Sequence, residues 1–341
     1  MRIGIPREIK DGEHRVALTP AAVAQLEDVV VEPGAGAGVG FTDAQYVEAG
    51  ATLGDAWDCE LVVKVKELQA PEYRRPRRGQ TIFSFQHFAP EPPLLAAALE
   101  TGATFIAFET VGQDSGLPIL SPMSAIAGRL AVQVGAWCLQ KQNGGSGVLL
   151  PGLDGVPPGK VAILGVGNVG ANALAVAYRM GAEVTVFAKT DRRFPPLRAK
   201  YPSAQFIAGF DAEAVKDADL IIGGVLTPGQ MSPKLIRRAT LAGMRPGSAL
   251  VDVGIDQGGI AETSRPTSHS DPIYIAEGVV HYCVPNMPAA CARTASLALE
   301  RAVLPYVRML SSGKIDADLR TGIQVTGGKV VHAQLARDTG R

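Results

Sequence analysis

Short apolar runs alternate with amphipathic stretches through the first third of the chain. Residues 2–5, 29–31, 61–65, 81–85 and 104–108 have strand length and are rich in β-branched or aromatic side chains. Between them, residues 20–26, 43–49 and 93–100 read as helices, the first two opened by Thr19-Pro20 and Thr42-Asp43. Such alternation predicts a mostly parallel sheet with crossover helices.

The pattern changes near residue 121. A long helix is expected over 124–140, closed by a glycine-rich loop at 143–147, and a Pro/Gly-rich connector at 151–159 leads into a second alternating block. There 161–164, 183–187, 205–207, 220–223 and 249–253 read as buried strands. A last helix is expected over 294–310, after Asn286-Met287-Pro288. The pattern predicts an α/β protein of two domains joined by long helices, with the C-terminal end returning to the first domain. No solenoid-period repeat or low-complexity tract interrupts it.

Composition narrows the function classes. The 341 residues are long for one core. Lys plus Arg number 33 and so do Asp plus Glu, so no net field points to nucleic acid or membrane, and substrate attraction must be local. Cys59, Cys138, Cys283 and Cys291 are scattered without zinc-site spacing; they read as small buried hydrophobes, and no metal is expected. Residues 1–6 read as a strand without a signal-peptide core, and no apolar run approaches the roughly 20 residues of a bilayer span. A cytoplasmic protein is expected.

One motif carries chemistry directly. The run 161–164 leads into Gly165-Val166-Gly167-Asn168-Val169-Gly170, a GxGxxG turn, and a helix is expected over 171–180 before the next strand. In that context the motif is a dinucleotide-binding signature. Gly165 permits the tight turn, Gly167 lets backbone approach a pyrophosphate, and Gly170 lets the helix lie against the strand. The N-terminus of the following helix supplies free N–H groups and positive potential for phosphate, and Asn168 and Val169 of the turn are expected among the cofactor-binding residues. After the second strand an acid normally grips the adenosine ribose; here Ala188, Lys189, Thr190, Asp191, Arg192 and Arg193 follow Phe187. A carboxylate would repel a 2′-phosphate, whereas Lys189 and Arg192 would attract it. The expected cofactor is therefore NADP(H), with NAD(H) the second choice should Asp191 fold back onto the ribose.

The chain also resembles the alanine dehydrogenases and the related N-terminal part of nicotinamide nucleotide transhydrogenase, over nearly its whole length. The resemblance is carried by Gly4-Ile5-Pro6-Arg7-Glu8-Ile9-Lys10, Glu13-His14-Arg15-Val16-Ala17-Leu18-Thr19-Pro20 and Leu61-Val62-Val63-Lys64-Val65-Lys66-Glu67. It continues through Phe85-Gln86-His87-Phe88, Pro122-Met123-Ser124 with Ala127-Gly128-Arg129-Leu130-Ala131, Ile255-Asp256-Gln257-Gly258-Gly259 and Asn286-Met287-Pro288. It implies two Rossmann-like domains: a substrate domain from 1–120 and 291–341, and a dinucleotide-binding domain from 121–290. By the same resemblance Arg15 holds a substrate carboxylate, Lys66 polarises a keto oxygen, His87 is the general acid/base, and Asp256 contacts substrate or ammonia. Ser124 would contact pyrophosphate, while Leu226, Ile255, Asn286 and Met287 would border the nicotinamide. The implied reaction is reductive amination of a small 2-keto acid, or its reverse, in an oligomer, a dimer or hexamer.

Several positions depart from the family pattern. Gln86 stands where an apolar residue commonly precedes the histidine, Ile126 where Glu is expected, Gly254 where Ala is usual, and Ala292-Arg293 where Pro-Lys is usual. Together with Ala188 they keep two alternatives open: an opine-type synthase joining a keto acid to an amino acid, and a catalytically silent NADP-binding regulator. Intact Arg15, Lys66, His87 and Asp256 argue against silence, and the amine accepted separates the two enzymes.

Overall fold

The apolar runs read from the sequence form strands. In the computed structural model, which describes residues 1–112, 116–225 and 232–341, these are β1 (Ile3–Ile5), β2 (Val29–Val31), β3 (Thr52–Leu53), β4 (Leu61–Val63), β5 (Thr81–Ser84) and β6 (Thr104–Ala107). They are followed by β7 (Lys160–Leu164), β8 (Glu183–Ala188), β9 (Gln205–Ala208), β10 (Leu220–Gly223), β11 (Ala249–Asp252), β12 (Ile273–Ala276) and β13 (Val279–Tyr282). Near the C-terminus come β14 (Ile323–Thr326) and β15 (Lys329–Val330). The chain divides into a first unit of residues 1–123 with 291–341 and a second of residues 124–290. The helix Leu120–Cys138 carries the chain across the first division, and the helix Ala292–Ser311 follows the second.

The first unit holds a sheet in the order β15-β14-β6-β5-β4-β1-β2-β3. Strands β1 to β6 run parallel, and β14 joins β6 antiparallel. In β1, β2 and β4 every residue is buried, as in a parallel sheet covered on both faces. Ile82, Phe88, Leu94 and Phe105 pack with Val325 and Leu335 of the C-terminal segment, so the chain does return to this unit. Burying each such side chain stabilises the fold by roughly 1.5–3 kcal/mol. The strand order reverses between β1 and β4, and ligands of doubly wound sheets bind beyond the carboxyl ends at such a point.

The second unit repeats the design. Its sheet runs β12-β13-β11-β10-β7-β8-β9, all parallel except β12. Here the reversal lies between β7 and β10, which places the glycine-rich turn after β7 at the switch point. Both units are thus Rossmann-like.

Element ends shift from the sequence expectation for local reasons. The expected helix 20–26 shortens to Pro20–Val23, because Gln25 and Leu26 donate to Ala22 and Val23 in tighter i to i−3 turns. The long helix starts at Leu120 rather than 124, since Pro122 sits in a first turn where its missing N–H has no role. Of the cysteines, Cys59, Cys138 and Cys283 are buried and Cys291 is half-buried.

Candidate active site

In the first unit, three segments leave the carboxyl ends of the central strands β1, β4 and β5, and each carries a residue expected from sequence. Arg15 is only 2% exposed. Its Nε donates to Glu13 Oε1 at 2.7 Å and its Nη2 to Glu13 Oε2 at 2.5 Å, a planar two-point pairing that fixes the guanidinium. Its Nη1 donates to Met123 Sδ at 3.3 Å, a weak acceptor.

Lys66, three residues beyond β4, is 6% exposed, with its ammonium 3.7 Å from Glu67 Oε2 and 6.0 Å from the centre of the Phe85 ring. Burial pulls its pKa below the ordinary lysine value, assisted by the charges of Lys10 and Arg15 and opposed by Glu67. Glu67 itself is driven down to about 2: burial raises it, but the charge of Lys66 and the hydrogen bond and charge of Lys10 together outweigh burial. A lysine held this way is a cation pressed into a dry site, suited to polarising a carbonyl oxygen.

Beneath Lys66 lies a buried charge cluster that the sequence reading did not single out. Glu8 accepts the backbone N–H of Val65 at 2.5 Å and that of Lys66 at 3.4 Å, tying the segment after β1 to the segment after β4. Burial pushes Glu8 up to about 7, against the pull of Lys64. Lys64 pairs with Glu72 at 2.8 Å and lies 3.6 Å from Glu8; burial lowers its pKa, yet Glu8 and Glu72 carry it above the ordinary value. Glu8 and Lys64 stand in the blocks that carry the family resemblance, but as residues they read only as charges following short apolar strands, which suits a solvated loop equally well.

His87, three residues beyond β5, is exposed, with its ring stacked on Phe85 at 6.1 Å and 13°. Its backbone lies in the left-handed region at φ 48°, which non-glycine residues adopt only when held there. The preceding Gln86 is fully buried; its amide donates to Ser84 Oγ at 3.1 Å while its own oxygen has no hydrogen-bond partner. That unpaired oxygen makes Gln86 a costly departure from an apolar residue.

In the second unit, the glycine-rich turn has the geometry the motif predicts. Gly165 has φ 96°. A Cβ on Gly170 would lie 1.9 Å from Gly165 O, so only glycine lets the helix Asn168–Arg179 come this close to β7. A Cβ on Gly167 would meet nothing within 4 Å, so the space over that backbone is open. Gly167 caps the helix without a side-chain hydrogen bond, and such a helix start attracts phosphate. Gly128 packs on Val169, where a Cβ would lie 2.1 Å from Val169 O, so Ser124, one turn earlier on the same helix face, stands toward this turn. These residues fit a dinucleotide's pyrophosphate.

At the end of β8, Ala188 is half-buried and Lys189, Asp191, Arg192 and Arg193 are exposed. The carbonyl of Asp191 accepts the N–H of Phe194, and Arg193 donates to Val166 O at 3.4 Å. Among the described residues, neither Lys189 nor Arg192 forms an ion pair. Past β11, Ile255 is 3% exposed and Asp256 is exposed on a short 3-10 turn. Asp252 at the strand end is buried and accepts from Ser264 at 2.5 Å and Ile260 at 2.7 Å. Asn286 is half-buried with φ 53°, and Met287 is 3% exposed. Leu226 lies outside the described residues.

Comparison with known proteins bears on both units. Residues 4–127 match the family model for the N-terminal domain of alanine dehydrogenase/PNT, and residues 131–333 match that for its C-terminal domain. The chain is 48% identical over 360 residues to the alanine dehydrogenase of Halomonas elongata, covering 100% of this chain and 97% of that one. It is 43% identical over 359 residues to the alanine dehydrogenase of Bacillus subtilis, covering 100% and 96%. Among solved structures, an L-alanine dehydrogenase superposes with a TM-score of 0.96 at 43% identity, covering 100% and 99%. The transhydrogenase of Sinorhizobium meliloti does so at 0.84 and 28%, covering 98% and 99%.

Proposed function

The chain belongs to the alanine dehydrogenase/PNT family, and from that premise we propose that it interconverts a small 2-keto acid plus ammonia with the corresponding 2-amino acid. Its cofactor is a nicotinamide nucleotide, and the finer assignment proposed here is NADP(H). The observation that carries the reading is the pair of dry cations, Arg15 at 2% and Lys66 at 6% exposure, set beyond adjacent central strands, with the His87 ring stacked on the same Phe85 that Lys66 approaches.

Each residue then has a task its setting suits. Arg15, braced by Glu13, receives the substrate carboxylate. Lys66 stabilises negative charge on the keto oxygen as ammonia adds. His87 gives a proton to the departing hydroxyl, so water leaves and an imine remains, and it takes that proton back when the reaction runs the other way. Asp256, in the second unit, is proposed to contact the amine. When bound, the nicotinamide supplies hydride to the imine carbon in one direction and accepts it in the other. Gly165, Gly167 and Gly170 with Ser124 would hold its pyrophosphate, and Ile255, Asn286 and Met287 would border its ring.

The NADP(H) proposal rests on Ala188, which stands where an acid would grip the ribose, and on Lys189 and Arg192, which form no ion pair among the described residues. Among the described residues no helix is long and apolar enough to cross a membrane. A cytoplasmic location is proposed, as is assembly of identical chains, to be read as mass by sedimentation.

The test is loss of reduced-nicotinamide absorbance with pyruvate and ammonium, NADPH against NADH. Turnover with NADPH supports both parts. Turnover with NADH alone keeps the enzyme class and discards the cofactor assignment. No turnover with ammonium, but turnover with an amino-acid donor, replaces the reading with the opine-type synthase.

A further inference from the structure

We propose that Glu109 is a positioning residue for His87, holding the imidazole in its working orientation through the backbone; this rests on reading His87 as the acid/base. Glu109 lies in a 3-10 turn, Phe108–Thr110, just beyond β6 and so beside the end of β5 that carries the histidine. Both of its oxygens accept the N–H of Gln86 at 3.2 Å, and Oε1 accepts the N–H of His87 at 2.9 Å. One carboxylate therefore gathers two successive amides of the segment in which His87 holds φ 48°. Successive amides converging on an anion define a tight local backbone, and here the anion is the protein's own.

The neighbouring residue supports the ring. Phe108 packs edge-on against Phe85 at 5.2 Å and against Phe83 at 4.5 Å, and Phe85 carries the His87 imidazole on its face. The dipeptide Phe108-Glu109 thus fixes the floor under the imidazole and the backbone behind it. The turn is itself anchored by the C-terminal segment. Thr321 donates to Thr110 O at 2.7 Å, Gln324 donates to Thr110 Oγ1 at 2.8 Å, and Gly112 donates to Thr321 Oγ1 at 3.1 Å.

Without the carboxylate, the amides of Gln86 and His87 lose their shared acceptor, and the segment relaxes from the left-handed backbone to a commoner conformation that turns the ring away. A displacement of about 1 Å costs on the order of a hundredfold in rate. The experiment is a double-mutant cycle on the full-length enzyme with keto acid, ammonium and reduced cofactor, using Glu109→Ala, His87→Ala and the double variant. We expect Glu109→Ala to lower kcat by about 10- to 100-fold, with keto-acid KM and cofactor affinity within about twofold of wild type. We expect the double variant to retain the residual rate of His87→Ala, because a residue acting only through His87 has nothing left to position. Should Glu109→Ala fail to fold, Glu109→Gln, which keeps the volume and one acceptor oxygen, takes its place in the cycle with a smaller loss of kcat. Unchanged kcat, or a loss that multiplies onto that of His87→Ala, overturns the proposal. Full turnover by His87→Ala overturns instead the acid/base reading on which it rests.

Discussion

Replacing Glu8 by glutamine isolates the energetic weight of one buried carboxylate beneath Lys66. Glu8 has a pKa of about 7 against an ordinary value of 4.5, with burial the leading cause. The direction of linkage follows from proton counts. Between about pH 4.5 and 7 the unfolded chain has released this proton and the folded chain retains it, so stability falls as pH rises. About 2.5 pH units at about 1.4 kcal/mol each give roughly 3 kcal/mol, fully present as stability below pH 4.5 and lost as pH rises through about 7. Glutamine has no such titration, yet it keeps an oxygen for the Val65 N–H, and Lys64 keeps Glu72 at 2.8 Å. Lys64, raised above the ordinary lysine value, stays charged across this window. Urea unfolding of both proteins from about pH 4.5 to 8 should therefore show the stability difference moving in favour of Glu8→Gln by about 3 kcal/mol. A difference that stays flat across that range would refute the assignment of the titrating group, whatever its absolute size.

The nucleotide unit yields two sharper contrasts. Ala188→Asp should shift the NADPH-to-NADH preference in kcat/KM by about tenfold or more toward NADH, since a carboxylate about 4 Å from a phosphate costs at least about 1 kcal/mol per unit charge; an unchanged ratio removes the basis for NADP(H). Gly167→Ala should fold normally, because its Cβ meets nothing within 4 Å, yet bind cofactor about tenfold or more weakly by calorimetry, since the methyl occupies the pyrophosphate's approach. Gly170→Ala should instead unfold at lower urea, by about 1–3 kcal/mol, as its Cβ would lie 1.9 Å from Gly165 O. Equal behaviour of the two glycine variants would show that the turn does not divide its labour in this way.

Much of the site was legible because its elements announce themselves locally. A β-branched run such as 161–164 followed by GxGxxG encodes strand, turn and helix within about thirty residues, and β7 with its turn formed as expected. What escaped was whatever depends on long-range pairing. Strands β3 and β15 have two residues each, too few for any periodicity to register. Strands β12 and β13 meet as an antiparallel pair around Glu277-Gly278, a turn the pattern does not distinguish from the loop before it. The acids around the expected cations were equally hidden. Glu13 is two residues from Arg15, but Glu8 and Lys66 are 58 apart, and Glu109 is 22 from His87. Only the neighbouring of β1, β4, β5 and β6 in one sheet turns those separations into contacts.

The return of the C-terminal segment to the first sheet has a consequence for the order in which the protein can be finished. Residues 124–290 form one uninterrupted stretch and can close their sheet while the last fifty residues are still being made. The first unit must wait. Its β6 is paired on one edge only, with β5, until β14 emerges, and the turn bearing Glu109 lacks the bonds from Thr321 and Gln324. A chain released short of those residues would hold a finished second unit but an unfinished first one, with the outer edge of β6 open and the Glu109 turn unanchored, so the last helix and hairpin set when the first unit is complete.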